Sequence, residues 1–139
     1  MASVLDNNGD GNRIRYDWGY ELVYESTTIA MTQAASLVGK VAFDIRGMTG
    51  KKNIFVANPD VTAIDFEIWI SYQYDERDKA TILAHSDVNR SYRVLASTNL
   101  TQNTSHLWSE THAGAWLYVL AKQSSAVSSF NINIAASMN

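Results

Sequence analysis

Asp6, Asn8 and Asp10 alternate near the amino end of the chain, Gly11 follows them, and Asp17 stands twelfth in a count that begins at Asp6. Oxygen donors at the first, third, fifth and twelfth positions of a loop, with glycine at the sixth for a sharp turn, are the spacing with which a chain wraps calcium. Asp6, Asn8, Asp10 and Asp17 are therefore the candidate metal ligands, with calcium as the only cofactor the sequence suggests. Two details run the other way. Arg13 holds the eighth position, where such loops place an apolar residue, and the twelfth ligand is an aspartate rather than the longer glutamate that binds through both oxygens. A polar, glycine-rich turn near a chain end accounts for the same residues, and these departures favour it.

The histidines raise a second chemistry, because neutral imidazole serves both as a general base and as a metal ligand. His106 and His112 flank Glu110, and His85 lies near Asp87. None has the His-Glu-x-x-His spacing that sets two ligands on one helical turn. No Gly-x-Ser-x-Gly elbow presents a serine nucleophile, and no glycine-rich phosphate loop follows a strand. Asp65 and Glu67 share one face of a strand, as paired glycosidase carboxylates can, but alternating acids on a wet face are more often solvent-facing decoration. The expectation is a protein that is not an enzyme.

Aromatic residues give the stronger lead. Trp69 stands among Asp65, Glu67, Ser71 and Gln73, on the polar side of an alternating segment. An indole in that setting is either covered by another element or a platform for a sugar ring or a partner side chain. Coverage by a second sheet or by residues 27–38 is the plainer reading. As a binding surface, the candidates are Trp69, Glu67 and Gln73, with Trp18 and Trp108 from neighbouring segments.

These residues must be carried by strands. Residues 64–74 alternate without a break, with Ile64, Phe66, Ile68, Ile70, Tyr72 and Tyr74 on one side, which is the period of a strand and not of a helix. Residues 41–45, 53–57, 80–85, 91–97 and 130–134 read as further strands. Residues 115–122 are apolar on both sides and so suit a central strand. Residues 13–25 read as one long strand or two short ones. Ser26-Thr27-Thr28 can cap a helix, Ala30, Ala34, Ala35 and Leu37 suit one, and Gly39 can end it, so one short helix is expected over residues 27–38. The expected fold is all-β and mainly antiparallel, a sandwich or jelly roll of about eight strands. It forms a single domain over residues 1–139, with residues 1–12 as an extended arm or turn.

Composition narrows the partners. The chain has 139 residues, 46% of them hydrophobic and 18% charged, enough apolar material for one core. Its formal charge is −3 and its eleven Lys and Arg are scattered, which argues against nucleic acid, since that affinity comes largely from clustered cations. No apolar run is long enough to span a bilayer, and no leader pattern opens the chain. Without cysteine, disulfides and thiolate chemistry are excluded.

The Asp6–Asp17 segment resembles the calcium loops of dockerins and EF-hands. Asp65-Phe66-Glu67-Ile68-Trp69-Ile70, then Ala113-Gly114-Ala115-Trp116-Leu117-Tyr118-Val119, then Phe130-Asn131-Ile132-Asn133-Ile134 resemble the second half of bacterial pre-peptidase C-terminal domains and the related collagen-binding β-sandwiches. That resemblance implies a non-catalytic accessory module that binds a surface or polymer. The functional expectation is accordingly a binding module for a glycan, matrix polymer or protein surface. The alternative is a self-assembling structural subunit of a virion, tail or filament, and a hydrolase with an unrecognised site ranks third. A homo-oligomer is expected, extracellular or virion-associated.

Overall fold

The computed structural model describes residues 3–5, 13–16, 21–32, 37–73, 82–83 and 88–139, with side chains described from residue 23 onward. Ten strands are present among them: β1 (Ser3–Leu5), β2 (Arg13–Tyr16), β3 (Glu21–Met31), β4 (Val38–Asp44), β5 (Lys52–Ala57), β6 (Ile64–Ser71), β7 (Ser91–Leu100), β8 (Ser105–Glu110), β9 (Trp116–Gln123) and β10 (Phe130–Met138). Eight of them make two four-stranded antiparallel sheets, ordered β3-β10-β5-β8 and β4-β9-β6-β7. The β1–β2 hairpin lengthens the first sheet beyond β3. This order is that of an eight-stranded jelly roll, two sheets face to face with strands that cross between them.

The alternation of β6 fixes how the sheets meet. Ile64, Phe66, Ile68 and Ile70 are fully buried and join Leu117, Val119 and Ala121 of β9 in a core with Ile54, Val56, Trp108, Phe130, Ile132 and Ile134 of the opposite sheet. Each such side chain contributes about 1.5–3 kcal/mol by leaving water. β9 lies between β4 and β6 and is buried along almost its whole length, as a strand apolar on both sides must be. Gly114 leads into it under the tightest packing: a Cβ there would come within 2.1 Å of Ile70 Cγ2.

Where they are described, residues 27–38 do not form the expected helix. β3 runs through Thr27 to Met31, paired with β10 from Phe130↔Met31 to Ile134↔Thr27, and β4 opens at Val38. The β-branched Thr27, Thr28 and Ile29 favour a strand, and β10 supplies a partner that local capping signals cannot reveal. Gly39 is no helix cap either. It lies within β4 beside a register irregularity, where a Cβ would meet the Leu83 carbonyl at 2.8 Å. The strand expected over residues 80–85 is also not formed where the chain is described, since Ile82 and Leu83 are helical.

The loops at one end are tied together by Asn58. Its buried amide donates to the Thr62 and Leu100 carbonyls, its Oδ1 accepts from the Asp60 N–H, and its backbone bonds Asn103 and Thr104. The Asp60 carboxylate in turn accepts from the Asn131 N–H.

Candidate functional site

The two sheets present outer faces of opposite character. On the four-stranded sheet, register sets Trp116 beside Asp44 and Ser71, and sets Tyr118 between Ala42 and Trp69, with Arg93 on the far side of Trp69. This face is not wet. Trp69 is 7% exposed and packs with Trp116, Tyr118, Leu120, Ala42 and Ile82, with Leu37 and Leu83 against the same cluster. Of the two readings of Trp69, cover by another element is the one found: a second apolar layer lies over the polar-looking side of β6.

Glu67 is buried there without losing its partners. Trp69 Nε1 donates to Glu67 Oε1 at 2.9 Å, and the half-exposed Arg93 guanidinium lies 3.5 Å from Glu67 Oε2. A buried carboxylate needs such partners, because an unpaired charge in a low-dielectric setting is strongly disfavoured. The Arg46 guanidinium sits 5.6 Å from the centre of the Trp116 ring and pairs with Asp44 at 2.6 Å. Burial also pushes the Tyr118 phenol above its ordinary pKa. Gln73 lies past the end of β6, and its Oε1, like the buried Trp116 Nε1, has no hydrogen-bond partner among the described residues.

The sequence candidates therefore separate. Trp69 and Glu67 come together, in a covered network. Trp108 belongs to the main core, opposite Ile54, and stacks at 6.1 Å on His112, which in turn stacks at 6.4 Å on Tyr92. His106 tilts against Phe66 at 5.9 Å. Among the described residues neither histidine is hydrogen-bonded to a carboxylate, and no cluster of metal-ligating side chains occurs. Trp18, His85 and the four candidate calcium ligands Asp6, Asn8, Asp10 and Asp17 lie outside the described residues.

The solvent face of the other sheet was not anticipated. Pairing aligns Thr28, Asn133, Ala57 and Ser105 in one row, Ala135, Phe55 and Leu107 in the next, and Val23, Ser137, Asn53 and Ser109 in a third. None of these residues is charged. Within the rows, Thr28 Oγ1 donates to Asn133 Oδ1 and Ser109 Oγ to Asn53 Oδ1, each at 2.7 Å, while Asn53 Nδ2 donates to the Ser137 carbonyl. The middle row is apolar, and Leu107 is 62% exposed. At one end the face deepens into a groove of about 300 Å³ between Phe55, Ala57, Asn133, Ser105 and the loop residues Asn103 and Thr104. The sequence signal was present: the outward positions of β5, β8 and β10 alternate with apolar ones and carry no charge. Only strand order and register make them neighbours.

Neither a protein-family model nor a curated protein sequence matches the chain.

Proposed function

We propose that this protein is a structural subunit that assembles with copies of itself, as the building block of a virion, tail or filament. The observation that carries the reading is the outer face of β10, β5 and β8, uncharged along its three paired rows and with an apolar middle row of Ala135, Phe55 and Leu107. Protein surfaces are ordinarily rich in Lys, Glu and Asp, and it is the core of an interface that is depleted in them. A jelly roll suits the role because both sheets brace one rigid core, and jelly rolls build viral capsids as well as lectin domains. Fold analogy alone assigns no function; the charge-free face adds a surface on which assembly can act. Light scattering tests the reading. The unmodified chain is expected to scatter as multiples of its 15.5 kDa mass, and Phe55→Asp to shift it toward the monomer. A monomer at every concentration would overturn the proposal.

The groove beside Phe55 favours one second reading, a binding module. Asn133, Ser105, Thr104 and Asn103 offer neutral donors and acceptors beside an aromatic wall, chemistry that suits a neutral, hydroxyl-bearing ligand such as a glycan. The resemblance to pre-peptidase C-terminal domains implies the same class. A glycan array with Asn133→Ala as control tests it. Binding that Asn133→Ala abolishes supports this reading, and an array without signal removes it.

A further inference from the structure

The two sheets end in different ways. β7 closes the four-stranded sheet with register shifts opposite Phe66, Ile68 and Trp69, and it projects Arg93, the devices by which proteins keep an edge from pairing further. β8 closes the other sheet with none of them. Its pairing with β5 runs from Lys52↔Glu110 to Ala57↔Ser105 without a shift, it holds no proline or lysine, and its one carboxylate is at its last residue. Among the described residues no strand pairs with its outer edge, so a row of backbone donors and acceptors faces outward beside the exposed Leu107.

We infer that β8 is the edge through which two copies of this chain join, antiparallel and about a two-fold axis at Leu107, so that the six-stranded sheets run on from one copy into the other. This rests on the assembly reading and gives it a specific contact. The occupant is a second copy because the edge is self-matching. An antiparallel pair about a two-fold axis sets each residue against its own symmetry mate or a fixed neighbour. With Leu107 on the axis, the two leucines cover each other, Ser105 faces Ser109 of the second copy, and His106 faces Trp108 of the second copy. No like charges meet. Backbone hydrogen bonds supply the attraction, as when any extended strand is added to a sheet edge.

A single cysteine reads this contact directly, because the chain has none of its own. Directly opposed residues of an antiparallel pair have Cα atoms about 4.5–5.5 Å apart, within the span of a disulfide. Leu107→Cys is expected to form a disulfide-linked dimer under mild oxidation, with Val61→Cys, a still more exposed position on a loop, remaining at least about tenfold slower. If the unmodified chain scatters as a multimer and Leu107→Cys links no faster than Val61→Cys, the β8 contact is wrong and the assembly reading stands. If the chain is monomeric and neither variant links, both fall.

Discussion

One side of this sandwich hides its aromatic residues and the other displays its neutral ones, although the sequence gives both outer faces a polar look. On β6, Trp69 is covered by Ile82, Leu37 and Leu83, Glu67 is buried beside it, and their polar atoms bond each other or Arg93. On β5, β8 and β10, Asn53, Ser109 and Asn133 bond across strands, with Phe55 and Leu107 left among them at the surface. The difference teaches that alternation reports which side of a strand is polar, not which side is wet. A carboxylate and an indole that satisfy each other can be buried, and an apolar row can remain open where a partner is to come.

Substitutions on the two faces should therefore have opposite signatures. The largest effect is expected from Trp69→Ala, which empties the covered cluster and leaves Glu67 without its indole donor. Urea unfolding should show a loss of about 3–5 kcal/mol, and a loss below about 1 kcal/mol would mean that the layer over β6 is not packed. Gly114→Ala should cost about 1–3 kcal/mol by forcing Ile70 aside, seen as a lower Tm with the oligomeric state of the folded protein unchanged.

Lys52 sharpens the comparison from inside the open sheet. It is wholly buried, its Nζ donates to the Gly50 carbonyl, and desolvation lowers its pKa. Between that lowered value and the ordinary lysine value near 10.4 the unfolded chain binds the extra proton, so stability rises with pH across that window. The buried phenols of Tyr24 and Tyr118 act in the opposite sense. Burial raises their pKa, the unfolded chain ionises first, and stability falls once pH passes about 10. Lys52→Met should abolish the rise and keep the fall, measured as denaturation midpoints from pH 7 to 11. A rise that persists in Lys52→Met would assign it to another group. The smallest effect on stability is expected from Phe55→Ser on the open face, within about 0.5–1 kcal/mol, yet it should weaken self-association. Unchanged association would separate the uncharged face from assembly.

Much of the fold was legible because the buried side of each long strand is written in its own residues. Ile64, Phe66, Ile68 and Ile70 announce the core, and Trp116 to Leu120 announce a strand covered on both faces. What failed depended on distant partners. Thr27 to Met31 carry capping residues and alanine, but the strand that claims them begins at Phe130, and only tertiary pairing decides between helix and strand. Trp69 was legible as an anomaly, an indole among polar residues, but its cover comes from Leu37, Ile82 and Leu83, which no period in β6 can reveal. The open face was illegible for a related reason. Asn53, Ser109 and Asn133 lie in three separated strands and form a surface only through the order β10-β5-β8.

Hydroxyl-radical footprinting of the unmodified chain, at concentrations below and above the onset of association, tests the contrast between the faces most directly. Phe55 and Leu107 are predicted to react freely in dilute solution and to become protected as concentration rises, with Trp69 protected throughout. Equal reactivity of Phe55 and Leu107 at both concentrations, or free reaction of Trp69, would contradict it.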